Sequence, residues 1–149
     1  MKVYHFIVVV ASALIFSSCA SSFNNLGDPD ILIYAQTGNV AGIQKAIDIG
    51  KSLEERNQVG RTALMIAANG WKFEALELLR EAGADINAQD INGATALHVA
   101  AYYNVIKAAK ILLKYKPDMS IKDKWGHTAS YYADTYEHTR IIELFKGQD

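Results

Sequence analysis

Cysteine is almost missing from this chain. Cys19 is the only one in 149 residues, so no disulfide can form within the chain and no cysteine cluster can hold a metal. Proline occurs twice, at Pro29 and Pro117, which leaves most of the sequence open to helix. Neither sign of charge dominates: 15 Lys and Arg stand against 16 Asp and Glu, a formal charge of −1. That balance excludes the basic stripe that nucleic-acid binding needs. The motifs of common catalysts are missing too. No Gly-x-Ser-x-Gly, phosphate loop or dinucleotide fingerprint occurs, and no His-x-x-x-His or His-Glu-x-x-His spacing would seat a metal.

One long hydrophobic run is present, at the start. Lys2 gives a short positive n-region, Val3 to Phe16 is apolar apart from Tyr4, His5 and Ser12, and Ser17-Ser18-Cys19-Ala20-Ser21-Ser22 follows. This is the layout of a secretory signal peptide, and the run is too short to cross about 30 Å of hydrocarbon. Residues 1–18 are therefore set apart from the fold. Residues 19–29, small, polar and carrying Gly27 and Pro29, read as a tether. Phe16-Ser17-Ser18-Cys19 resembles the bacterial lipoprotein box, in which a cysteine becomes the lipid-modified first residue. Phe16 stands where that family prefers Leu, and Ser17-Ser18 where it prefers Ala-Gly. Ser18-Cys19-Ala20 also fits an ordinary small-x-small site, with cleavage after Ala20. The resemblance implies lipidation of Cys19, a membrane anchor and, with Ala20 rather than Asp following, release to an outer membrane where the cell has one. The location expected is the cell envelope or periplasm; cleavage after Ala20 would instead give a soluble secreted chain. Lys2 leaves with the leader, so one fewer than 15 basic residues, 14, faces 16 acids in the mature chain.

From residue 30 a phrase recurs. Gly60-Arg61-Thr62-Ala63-Leu64-Met65-Ile66-Ala67-Ala68, Gly93-Ala94-Thr95-Ala96-Leu97-His98-Val99-Ala100-Ala101 and Gly126-His127-Thr128-Ala129-Ser130-Tyr131-Tyr132-Ala133 are in register at a period of 33. A fixed period of this size means stacked supersecondary units rather than one globular core. Asn57-Gln58-Val59-Gly60, Asp90-Ile91-Asn92-Gly93 and Asp123-Lys124-Trp125-Gly126 read as turns. Thr62, Thr95 and Thr128 read as helix caps whose hydroxyls take an orphan backbone N–H. Leu64, Ala67 and Ala68 share one face of the helix that follows, as do Leu97, Ala100 and Ala101. Asn69-Gly70 breaks the first of these helices. A second helix runs from about Lys72 to Glu81, with Phe73, Leu76 and Leu79 on one stripe and Gly83 as its C-cap. In the next unit the stripe is Ile106, Ala109, Leu112 and Leu113, and Lys116-Pro117 replaces Gly83-Ala84, so proline supplies the stop. A worn first copy matches at a spacing of 32 through Leu32, Ala35 and Gly38 and at 33 through Val40 and Gly50, so one residue is missing between Gly38 and Val40. The fourth copy carries Tyr132, Ala133, Ile141, Ile142, Leu144 and Phe145, with Ser130 at the place of Leu64 and Leu97. End units are expected to be atypical because they must show a soluble outer face. The units fall at about 30–56, 57–89, 90–122 and 123–147 of a domain covering 30–149.

Thr95-Ala96-Leu97-His98-Val99-Ala100-Ala101 and Gly83-Ala84-Asp85-Ile86-Asn87-Ala88 resemble ankyrin repeats, whose phrases are Thr-Pro-Leu-His-x-Ala-Ala and Gly-Ala-Asp-Val-Asn-Ala. The resemblance covers about Asp30 to Gly147. One departure is uniform: Ala63, Ala96 and Ala129 replace the proline after the capping threonine, which loses preorganisation but keeps a good helix former. The resemblance implies an all-α ankyrin-repeat solenoid of stacked helix-turn-helix units with β-turn fingers. Fingers and first helices would line a concave face where a partner protein docks. It implies no enzyme, no cofactor and no small-molecule substrate. The family's partner-facing positions fall on Gln58, Val59, Arg61 and Asn69 in the second unit. In the third they are Ile91, Asn92, Ala94, Tyr102 and Tyr103, and in the fourth Lys124, Trp125, His127, Thr135 and Tyr136.

Tyr102, Tyr103, Trp125 and Tyr136 stand out, since Tyr and Trp dominate binding hot spots. The alternative is that Tyr103 and Tyr136 pack between neighbouring helices and Trp125 shields a finger base. His98 is structural by the same resemblance, hydrogen-bonding near the finger base, with Met65 and Tyr131 at its place in the flanking units. The recurring Asp85, Asp118, Asp90 and Asp123 read as turn and loop hydrogen-bonding groups. The role expected is a scaffold or regulator of an envelope protein. Two alternatives stay open: an immunity-type inhibitor of a toxin or enzyme in the periplasm, and a structural envelope lipoprotein without a specific client.

Overall fold

The computed structural model of the chain describes residues 30–148. The signal peptide, tether and lipidation of Cys19 expected from sequence fall outside the described residues. Within them the chain forms eight helices in four pairs: α1 (Ile31–Thr37) with α2 (Val40–Asp48), α3 (Ala63–Asn69) with α4 (Phe73–Glu81), α5 (Ala96–Tyr102) with α6 (Ile106–Lys114), and α7 (Ala129–Thr135) with α8 (Thr139–Lys146). No strand occurs among the described residues, and no helix there is long and apolar enough to cross a membrane. The first helices α1, α3, α5 and α7 pack side by side in one layer, and the second helices form another behind it. The architecture is the all-α solenoid expected.

Short helices like these cannot bury an apolar stripe alone, so the units close on one another. Ala35, Ala67, Ala68, Ala100, Ala101 and Ala133 are fully buried in the first layer, with Leu64, Leu97, Leu76, Leu79 and Leu112 filling the space behind them. The fingers then bond in a repeating pattern. In each one the first residue's amide donates to the carbonyl four positions on: Asn57 to Arg61, Asp90 to Ala94 and Asp123 to His127, at 3.1, 2.9 and 2.9 Å. Neighbouring fingers touch through backbone: the Ile91 amide donates to the Val59 carbonyl at 3.3 Å and the Lys124 amide to the Asn92 carbonyl at 2.9 Å. Glycine is required there. Gly60 and Gly93 have φ of 74° and 78°, and a Cβ on Gly60 would lie 2.8 Å from the Ile91 nitrogen of the next finger.

The turns show where local reading falls short. The missing residue of the first copy falls just before Gly38, because Gly38 holds the left-handed position that Trp71, Asn104 and Glu137 hold in later units (φ 76°, 59°, 56° and 55°). Gly70, at φ −83°, is the inserted residue and needs no such freedom. At the end of α6 the stop is Lys116, left-handed at φ 49° where Gly83 has 96°; Pro117 only bars continuation. Thr95 and Thr128 accept from the amides of His98 and Tyr131, as capping requires. Thr62 does not: its hydroxyl is buried without a hydrogen-bond partner. His98, whose ring completes the cap at Thr95, is replaced by Met65, which brings no ring nitrogen to that place. The last unit carries Ser130, Asp134 and Lys146 where the third has the buried Leu97, Ala101 and Leu113, so its outer side is more polar.

Leu112→Ala removes a side chain with no exposed surface and should cost about 2–5 kcal/mol. Because α6 packs on both α4 and α8, native-state hydrogen exchange should show protection falling in all three helices. A loss confined to α6 would contradict coupling through the unit interfaces.

Candidate functional site

The third and fourth units, with Arg61 of the second, enclose a groove of about 440 Å³ on the finger side of the first helices. Its base is built by two local networks. In the first, His98 Nδ1 accepts from the Thr95 amide at 3.2 Å, and Nε2 donates to the His127 carbonyl of the next finger at 3.2 Å. An accepting Nδ1 requires the neutral ring. Burial pushes the His98 imidazole below its ordinary value, and the His127 carbonyl offsets this only in part. In the second, Asp123 Oδ1 accepts from the Trp125 and His127 amides at 2.9 and 3.0 Å, and Oδ2 accepts from the Tyr132 hydroxyl. Burial alone would raise the Asp123 carboxyl, but the bonds from Tyr132, His127 and Trp125 outweigh it and hold it below the usual carboxylate range. Burial and the same bond push the Tyr132 phenol well up.

On this base stands an aromatic cluster. Tyr102 meets Tyr103, Tyr132 and Tyr136 edge to face, with ring centroids 4.9, 5.6 and 5.1 Å apart. The His127 ring stacks on Tyr131 at 3.7 Å and 12°, and Tyr131 meets Tyr132 at 5.7 Å. The edge-to-face separations suit the aromatic quadrupole, so the tyrosine cluster is ordered before any ligand arrives. Much of it still faces solvent: Tyr102, Tyr103, Trp125, Tyr131 and Tyr136 are 44–58% exposed. Tyr103 and Tyr136 therefore lie half in contact and half open, neither fully packed between helices nor free.

Nine of the fourteen positions named from sequence come together here: Arg61, Asn92, Ala94, Tyr102, Tyr103, Trp125, His127, Thr135 and Tyr136 all line the groove. Five do not. Gln58, Val59, Ile91 and Lys124 sit exposed at the finger tips, and Asn69, half-buried, closes α3. Lys124 nonetheless touches the edge of the groove, with its ammonium 4.6 Å over the Trp125 ring and bonded to Asn92. Sequence reasoning missed Tyr131 and Tyr132 as lining residues, and with them Asp90 and Asp123. The repeat register carried the signal for Tyr131. It stands at the place of His98, which the next finger covers, and among the described residues no further finger covers Tyr131. His138 Nδ1 donates to the Ala101 carbonyl at 2.8 Å and so ties α8 to α5. No group of three or more His, Cys, Asp or Glu side chains is arranged for a metal ion among the described residues.

The architecture is matched by one known family. The sequence fits the family described as Ankyrin repeats (3 copies), over residues 31–123 and again over 69–149. The chain belongs to the ankyrin-repeat family. No curated protein matches it in sequence. Ankyrin repeats typically bind other proteins and are typically not catalysts.

The neutral ring of His98 gives this ankyrin stack a pH dependence. Its folded pKa lies below the unfolded value of about 6.5, so the unfolded chain binds the extra proton and stability falls as pH drops through 6.5. Urea unfolding at about pH 7.5 and 5.5 should show that fall in the wild type and a smaller one in His98→Gln. Equal falls would contradict the buried neutral ring.

Proposed function

We propose that this ankyrin stack is a cell-envelope scaffold or regulator that recognises one partner protein through the aromatic groove of its third and fourth units. The observation that carries the reading is the half-open tyrosine cluster. Tyr and Trp give large contact area at low entropy cost, and truncating such a residue commonly costs 2 kcal/mol or more at a hot spot. Building a stack needs none of these rings at the surface: at the places of Tyr102, Tyr103 and Tyr136 the second unit has Asn69 and Gly70. A scaffold without a client gives no reason for that difference, so the specific binder is the better reading. The apolar run before Ser17 and the lone Cys19 support placement in the envelope, with the cysteine as lipid anchor.

Tyr102→Ala combined with Trp125→Ala should weaken capture of the partner from an envelope fraction at least about tenfold while circular dichroism is unchanged. Retained capture would remove the groove assignment. Cys19→Ser should move the protein from the membrane to the soluble fraction; unchanged fractionation would show that no lipid is attached there.

A further inference from the structure

The polar groups at the groove divide into those bonded within the protein and those left open. The acceptors are used. Asp123 gives one oxygen to two amides and the other to Tyr132. Asp90 Oδ1 accepts from the Asn92 and Ala94 amides at 2.8 and 3.0 Å. Both carboxylates are buried. Some donors are used as well, the Tyr132 hydroxyl, His98 Nε2 and the Lys124 ammonium among them, and others stay open. The Arg61 side chain is 30% exposed, and its Nε forms an ion pair with Asp90 Oδ2 at 3.8 Å, longer than a hydrogen bond. That Nε has no hydrogen-bond partner, and the terminal nitrogens of the fork bond to no other described residue. The Tyr103 and Tyr131 hydroxyls are likewise unbonded among the described residues. Lys124 adds a second cation at the edge, held over Trp125. Formal charges nearly cancel across the groove, so long-range attraction is weak and selection acts at contact. At contact a ligand meets a guanidinium paired with Asp90 through its Nε but with its terminal nitrogens open, open hydroxyls, and no exposed carboxylate among the lining residues.

We propose that the groove takes an acidic segment of the partner, with one carboxylate held by the Arg61 guanidinium and a neighbouring apolar or aromatic side chain laid on Tyr102, Tyr103 and Tyr136. This rests on the reading of the groove as the partner-binding face. A guanidinium presents two parallel N–H donors that match the two oxygens of a carboxylate. Phosphate recognition gathers clusters of arginine; here there is one fork, so a side-chain carboxylate is the occupant.

The test is an array of short peptides of varied sequence probed with the full-length protein. Each acidic peptide is printed beside the same sequence with Asp→Asn and Glu→Gln, and beside a version with Lys at those places. Acidic members should bind, and their amide versions should lose about tenfold or more. Arg61→Met should lose the same factor on acidic peptides and none on the amide versions, with Arg61→Lys between. Because the change is made in the peptide as well, the result does not depend on how the variants fold. Binding indifferent to the amide change, or stronger on the lysine versions, overturns the acidic occupant while leaving the groove as the binding face. Binding that survives Tyr102→Ala with Trp125→Ala, or no binding to any peptide, overturns both.

Discussion

The first helices meet through alanine. Ala67 and Ala68 of α3, Ala100 and Ala101 of α5 and Ala133 of α7 are all fully buried, and their small side chains let neighbouring helices approach closely. A larger residue at any of these places would push two units apart and carry the fingers with them. The fingers permit no such shift, because their backbones are already joined by the Ile91–Val59 and Lys124–Asn92 hydrogen bonds. Side chains repeat the same link one unit at a time. Glu54 accepts from the Asp85 amide at 2.7 Å, and Asn87 from the Asp118 amide at 2.9 Å. Arg56 donates to the Gln89 carbonyl at 2.5 Å, and Gln89 to the Lys122 carbonyl at 3.3 Å. Close helix approach and finger bonding constrain each other, and the period of 33 is the outcome.

That constraint also makes the groove. Spacing between units is fixed, so side chains at equivalent positions fall into rows, and specificity can enter only where the copies differ. They differ most at the ends of the first helices and at the finger tips of the last two units. Tyr102, Tyr103 and Tyr136 come from the first kind of place and Trp125 from the second. Tyr132 joins the two, lying in α7 while its hydroxyl holds the Asp123 carboxylate at the root of the finger. A finger that moved would lose that bond, so the aromatic wall and the turn carrying Trp125 and His127 are held as one body.

Most of the architecture was legible because repetition averages over local accident. Motif, period and helical stripe agree in the second and third units, and the helix pairs lie where those patterns place them. What was not legible depends on conformation or on the neighbouring unit. Left-handed geometry at Trp71 and Lys116 runs against the preference of both residue types, and only alignment with Gly38 and Gly83 exposes it. Thr62 makes no capping bond although Thr95 and Thr128 do, and nothing in the local sequence marks that difference. Tyr131 and Tyr132 look like two more apolar residues of a helix, and their exposure follows from what covers, or does not cover, the last finger. Nine of the fourteen positions proposed from sequence converge on one groove, since family position locates a surface but not which part of it is concave.

The central claim is that this groove, and not the outer helix layer, is where the partner sits. In-cell photo-crosslinking measures this most directly, with a benzophenone amino acid placed at Tyr103 in the groove or at Lys110 on the exposed side of α6. The account predicts a discrete crosslinked species from position 103 and none from position 110. A crosslink from 110 alone would contradict it.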